Sequence, residues 1–349
     1  MVTSMKTKPN PYYCLRILSY NPLITISGCQ TDDIFMKQMA DDMPEVFGQE
    51  FGLHLLLPTW NVEGERSKEI KKSIKAALKK MPGHIFVVVS CTEFETFLLG
   101  MESVPALFAQ QAIFVDDRIW EPSNQKFENL GTFDAVMNAR FDKMKRHELA
   151  SRVKNLLLIY GYSLDEEVEE ATKRIRRILP EAHFANHQLK KLNGTYSYLS
   201  TTEIVQLFGH AHVGLCLSPE EGYSRASIEY LMCGLPVVST KSIGGRDRYY
   251  SGKYSRIVDD DEQAIADAVR QLKEQKFSRA EVREHVLGLL NFDRENFLRN
   301  LNRIVEHLTG LPNFFGSIFP FLGIKQHFIT HSKILQKLKQ DQAARLDGH

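Results

Sequence analysis

Glu221 and Glu229 stand eight residues apart in the stretch VGLCLSPEEGYSRASIEYLMCGLPVVSTKSIGGRDRYY, residues 213–250, the first in a turn and the second inside a helix. An acid/base pair of the glycosidase kind needs its carboxyls about 5 to 9.5 Å apart. Eight helical residues span about 12 Å. The spacing therefore suits two acceptors spread along one extended ligand, since a carboxylate takes hydrogen bonds from the vicinal hydroxyls of a sugar. The helix beginning near Ser224 offers its N-terminus to an anion. Sugar, phosphate and ribose together describe a nucleotide sugar.

The elements that must position these groups are legible around them. Residues 213–217 form an apolar run of buried-strand length, broken by Ser218, Pro219 and Gly222. Ser224 caps the next helix; Ala226, Ile228, Leu231 and Met232 give it an apolar side, and Gly234 and Pro236 end it. PVVST is the following strand. Strand, helix and parallel strand make a right-handed unit whose sheet places ligands outside the carboxyl ends of its strands. Glu221 sits at that end.

This order resembles the signature of the retaining glycosyltransferases of family 4, or group 1: an acid, glycine and aromatic, five further residues, a second acid, a small-residue helix end and GLPVV. Here it stands as EGYSRASIE, YLMCGLPVVST and the pair Gly244, Gly245. The resemblance implies an α/β chain of GT-B architecture, two Rossmann-like parallel-sheet domains facing a cleft. It implies transfer of a sugar, of the hexosyl type, from a nucleoside diphosphate sugar to a hydroxyl acceptor with retention of configuration. The acceptor would be a saccharide, a lipid-linked saccharide or another glycoconjugate, as in polysaccharide biosynthesis. Glu221 would then hold donor-sugar hydroxyls and Glu229 the ribose, with the amides of Gly222, Tyr223 and Ser224 on the sugar and diphosphate and Gly244 and Gly245 in the donor site. The family carries an arginine and a lysine separated by four residues to grip the diphosphate, and Arg140 and Lys145 of RFDKMK reproduce that spacing. Fixed cations there stabilise the charge that develops on the leaving group. Arg140, Lys145 and Glu221 are thus the catalytic candidates, with no metal and no cofactor besides the nucleotide-sugar co-substrate. Tyr198, Leu199 and Ser200 fall where the family passes beside the nucleobase, and Gly28 where it has a glycine loop; for Gly28 an ordinary turn is an equal alternative. Ser224 departs from the pattern, where many members have a second glycine, with Arg225 beside it. Lys143, Arg146 and His147 read as surface or supporting residues. A GT-B protein that binds nucleotide without catalysis, or that transfers a CDP-linked group, is the alternative function.

The 349 residues suggest two domains, and 43% hydrophobic with 25% charged is ordinary for a soluble enzyme. A net charge of +1 gives no reason to expect a nucleic-acid partner. Cys14, Cys29, Cys91, Cys216 and Cys233 are odd in number and lack any CxxC, so a reducing cytoplasm is the simplest location. No signal peptide is evident, and no apolar run approaches the ~18 residues of a membrane span. His183 with His187, and His210 with His212, lack acidic companions at metal spacing.

The expected division is 1–130 as an abbreviated acceptor-side domain, 131–310 as the nucleotide-sugar domain and 311–349 as a Phe-rich tail crossing back to the first. In the first domain, strands are expected at 14–19, 53–57, 84–90 and 112–115, with a loop over 21–33 and a linker over 116–131. Towards the C-terminus, separate helices are expected at 279–290 and 293–308. Residues 65–83 predict a helix with Ile70, Ile74, Ala77, Leu78 and Met81 on one side and Lys68, Lys71, Lys72, Lys75 and Lys79 on another. Seven basic residues against two acidic ones give residues 65–80 a local charge of +5. That face is either simply solvated or a peripheral docking surface for anionic membrane lipid.

Overall fold

The computed structural model describes residues 15–29, 40–125, 127–161, 168–193, 199–221 and 225–323, with the isolated positions 336, 339 and 340. The chain forms two compact units, one of residues 1–115 with 293–349 and one of residues 116–292.

The first unit is built on five strands in the order β1-β2-β3-β4-β5: Leu15–Tyr20, Leu23–Cys29, Gly52–Pro58, His84–Ser90 and Ala106–Phe108. β1 and β2 are antiparallel and the rest run parallel. After the one-turn helix α1 (Pro44–Phe47) come α2 (Glu65–Leu78), between β3 and β4, and α3 (Glu93–Met101), between β4 and β5. Because β3, β4 and β5 succeed one another in one direction, right-handed crossovers put α2 and α3 on the same face of the sheet. There Ile70, Ile74 and Ala77 of α2 and Leu99 of α3 join Leu56, Phe86 and Val88 of the strands in one core. The buried Glu95 fixes both helices: its carboxylate accepts from Val62 N at 3.0 Å, Cys91 N at 2.6 Å and Thr92 N at 3.2 Å, completing a capping box with Thr92.

The structure corrects three expectations here. Residues 23–29, expected as loop, are a fully buried strand, because LITISGC pairs in register with Gly52–Pro58 along its whole length. The fifth strand is Ala106–Phe108, while Gln111–Phe114 is a 3-10 turn; the Gln110 side chain accepts from Ala112 N at 3.2 Å and bends the chain out of extension. The expected helix break near residue 291 does not occur. One helix runs over Arg279–Thr309, since NFD contains neither proline nor glycine and Asp293 is buried rather than capping.

The second unit is an all-parallel sheet of β6 (Phe133–Asn138), β7 (Leu156–Ile159), β8 (His183–Phe184), β9 (Ala211–Cys216), β10 (Val237–Thr240) and β11 (Ser255–Val258) in the order β11-β10-β9-β6-β7-β8. Its helices are α4 (Val168–Ile178), α5 (Ala185–Asn193), α6 (Thr201–Phe208), α7 (Arg225–Met232) and α8 (Glu262–Glu274), followed by α9 (Arg279–Thr309). The order reverses between β6 and β9, which makes their carboxyl ends a switch point of a doubly wound sheet, where such sheets bind ligands. The segment expected as linker falls within this unit from Asp116 onward. The described part of the tail, through Gly323, packs on the first unit: Arg16 donates to Pro320 O at 2.7 Å and Gly323 N to Phe114 O at 2.8 Å.

Candidate active site

Arg140 and Lys145 follow the carboxyl end of β6, and Glu221 follows that of β9, so the switch point brings two loops together that are 76 residues apart in sequence. Lys145 Nζ lies 2.6 Å from Glu221 Oε1, with both side chains largely buried. Ser218 Oγ donates to the same carboxylate oxygen. The backbone of Glu221 is latched in turn: its N donates to Ile243 O at 3.0 Å, and Ile243 N donates to Pro219 O at 3.0 Å. Gly244 and Gly245 follow directly with φ of 108° and 74°, left-handed values that a β-carbon would strain. Arg140 is exposed, and among the described residues its guanidinium has no hydrogen-bond or ion-pair partner. The loops thus offer one free cation, one paired cation and a carboxylate at a single strand-end crevice.

Two arginines outside the candidate site residues organise these loops. Arg146, expected as a surface or supporting residue, has a left-handed backbone (φ 51°) and donates to Leu217 O at 2.6 Å, Thr240 Oγ1 at 2.7 Å and Asp260 Oδ2 at 2.6 Å. It ties the β6 loop to the ends of β9 and β10. Arg246, buried to 4% exposure, donates to Ser239 Oγ at 3.1 Å, Ser218 Oγ at 3.2 Å and Thr240 O at 2.8 Å. It therefore stands behind Ser218, which holds Glu221. Their only sequence signal was an arginine directly after Lys145 and another directly after the glycine pair. His147, likewise expected as a surface or supporting residue, is buried at 1% exposure, and among the described residues neither ring nitrogen has a hydrogen-bond partner. Burial chiefly, then Arg174 and Lys145, pulls its imidazole down to about 3.

Glu229 lies in α7, held close to the sheet by its neighbour Tyr230. The Tyr230 ring fills the space above Gly214, where a β-carbon would meet it at 2.3 Å, and its hydroxyl accepts from Asn138 N at the end of β6. Gly234 (φ 75°) then turns the chain toward β10, with Arg279 O only 2.4 Å from where its β-carbon would be. Glu229 is 4% exposed, and Arg225 Nη2 lies 3.0 Å from its Oε1. Burial pushes its carboxyl above the ordinary range, with Arg225 opposing. Arg225, the neighbour of the departing Ser224, therefore occupies one oxygen of the acid expected to hold a ribose.

The remaining candidates are placed as follows. Gly28 is in β2 of the first unit, paired with Leu57. Ser200 is the N-cap of α6, its Oγ accepting from Glu203 N at 3.2 Å, with Leu199 half-buried before it. Gly222, Tyr223, Ser224 and Tyr198 lie outside the described residues. His210 is spent on backbone, accepting from Phe127 N at 3.0 Å and donating to Gly131 O at 2.9 Å.

Comparison with known proteins decides how this geometry is to be read. Residues 141–275 match the family model of glycosyl transferases group 1. The stretch is thus similar to glycosyl transferases group 1 over that length. It begins just after Arg140 and contains Lys145, Glu221 and Glu229. No curated protein sequence matches the chain. Among solved structures, sucrose-phosphate synthase from Thermosynechococcus elongatus superposes with a TM-score of 0.56 at 15% identity, over 79% of this chain and 77% of that one. HepE from Anabaena, solved in complex with UDP, gives 0.54 at 14% identity, over 79% and 82%. A UDP-forming trehalose-phosphate synthase from Burkholderia xenovorans, in complex with glucose-6-phosphate, gives 0.51 at 14% identity, over 79% and 73%. The fold is GT-B.

Proposed function

We propose that the protein transfers a sugar from a nucleoside diphosphate sugar to a hydroxyl of a saccharide, lipid-linked saccharide or other glycoconjugate, with retention of configuration. The observation that carries this reading is the meeting of Lys145 and Glu221 at 2.6 Å at the β6/β9 switch point. A cation and a sugar-binding carboxylate are needed side by side where a glycosidic bond to a diphosphate breaks. Arg140 and Lys145 neutralise the departing diphosphate, and for Lys145, largely buried, the charge counts for more than it would in water. Glu221 orients the sugar through its hydroxyls against that leaving group. Glu229 takes the ribose once Arg225 yields an oxygen to it. Two fixed cations serve the diphosphate in this reading, with no metal cofactor, so chelation with EDTA is expected to leave transfer unchanged.

Thermal shift with UDP, GDP, ADP and CDP tests the reading, because a ligand at about a hundredfold over its Kd stabilises by roughly 2.7 kcal/mol. UDP is the first to try, given the ligand of HepE and the UDP-forming reaction named for the trehalose-phosphate synthase. One nucleotide should raise the midpoint in the wild type and much less in Lys145→Ala. No response to any of the four contradicts the proposal.

A further inference from the structure

The exposed side of α3 carries three large apolar residues at helical spacing. Phe94, Phe97 and Met101 are 55%, 61% and 70% exposed, although the opposite side of the same helix buries Glu95 and Leu99. Positions i, i+3 and i+7 lie on one stripe, about 10 Å long at 1.5 Å per residue. Three such groups in a row form a patch, which an isolated exposed apolar residue does not.

The neighbour of this stripe is the lysine side of α2. Lys71 Nζ bonds Glu102 Oε2 at 3.0 Å, which places α2 directly beside the C-terminal end of α3. Around α2, Lys71, Lys75, Lys68, Lys79 and Lys72 follow one another away from that contact. The acids nearby are largely engaged: Glu65 pairs with Lys68 at 2.7 Å, Glu102 with Lys71, and Glu95 caps α3 from within. Glu69 on α2 and Glu93 at the start of α3 are exposed. Among the described residues Lys72, Lys75 and Lys79 have no acidic partner.

We propose that α2 and α3 dock the protein on an anionic lipid bilayer, with Phe94, Phe97 and Met101 entering the boundary between headgroups and chains and the α2 lysines meeting the headgroup charge. An apolar stripe flanked by unpaired lysines is the pairing that interfacial binding uses, and lysine stems reach along apolar surface while keeping the ammonium at the headgroups. The partner is argued from charge: an uncharged or cationic surface would leave Lys72, Lys75 and Lys79 without a counter-charge. Among the described residues no helix is long and apolar enough to cross a membrane, so the contact is one of surface docking.

Flotation of the full chain with phosphatidylcholine vesicles, with and without about a quarter phosphatidylglycerol, tests this without any sugar donor, so it stands apart from the assay of transfer. The wild type should float with the anionic vesicles only, and less as NaCl rises from about 50 to about 300 mM, since screening acts on the lysines. Phe94→Ser with Phe97→Ser and Met101→Ser should lower the floated fraction at least fivefold with an unchanged thermal midpoint; so should Lys72→Gln with Lys75→Gln and Lys79→Gln. Absence of flotation in the wild type overturns the proposal, as does undiminished flotation of the apolar triple variant. A dimer in free solution that this variant dissociates would assign the stripe to a second copy of the chain and equally overturn it.

Discussion

Lys145 and Glu221 share one contact, so altering either changes the other. Lys145→Ala removes the diphosphate's cation and leaves Glu221 unpaired, facing the incoming anion. Nucleoside diphosphate affinity should fall roughly ten- to a hundredfold, the range of a charged hydrogen bond, while nucleoside affinity changes little. Isothermal titration with both ligands checks this; equal losses would contradict the role. A second expectation concerns His147, whose buried nitrogens have no partner. His147→Leu removes an unsatisfied polar group and should raise stability by about 1 to 3 kcal/mol in urea unfolding at pH 7; a loss of stability would show that the ring has a bound partner. Of these residues the sequence singled out Glu221 and Glu229 by type and spacing, and Arg140 and Lys145 by the family spacing they reproduce. It did not disclose that Arg246 is buried behind Ser218, since an arginine's burial depends on which partners tertiary folding brings to it.

At the scale of elements, β2, β3 and β4 are stitched by a polar line inside the first sheet. His84 Nε2 lies 2.8 Å from Gln49 O, which can only accept, so His84 Nδ1 accepts from His54 Nε2 at 2.8 Å and His54 Nδ1 accepts from Thr25 Oγ1 at 2.8 Å. Burial chiefly, with the neighbouring His84 adding to it, pulls His54 from 6.5 to about 3. A folded-state value below the unfolded one means that stability is complete above about pH 6.5 and is lost as pH falls toward 3. Between pH 7 and pH 5 urea unfolding should report a loss of about 2 kcal/mol from His54 and as much from His147, and His54→Leu with His147→Leu should flatten that slope. An unchanged slope would contradict the assignment. Strands with long apolar runs, such as His84–Ser90, were legible to the residue. β2 was not, because Asn21, Pro22 and Gly28 punctuate it like a loop and only pairing with β3 makes it a strand. The break expected in α9 likewise followed local cap chemistry that tertiary contacts override.

At the scale of the molecule, α9 belongs to both units, and two of its arginines anchor it. Arg283 donates to Asp117 O at 2.9 Å and Met232 O at 2.8 Å in the second unit, and Arg294 to Ile113 O at 3.0 Å and Val115 O at 2.8 Å in the first. The GT-B fold was readable from one signature of about forty residues because that signature spells a whole βαβ unit at the switch point; the first unit, with no such motif, was read only as a run of strands. The central claim is that Glu221 serves the sugar and Glu229 the nucleotide. It is tested most directly by steady-state kinetics and isothermal titration of Glu221→Ala and Glu229→Ala with the nucleotide found in the panel. Glu221→Ala should lose turnover about ten- to a hundredfold while binding the free nucleoside diphosphate at least as well, because Lys145 is released to it. Glu229→Ala should chiefly raise KM, since a ribose contact is present in ground and transition states alike. If Glu221→Ala instead abolishes nucleoside binding with the fold intact by circular dichroism, the two roles are reversed and the account is wrong.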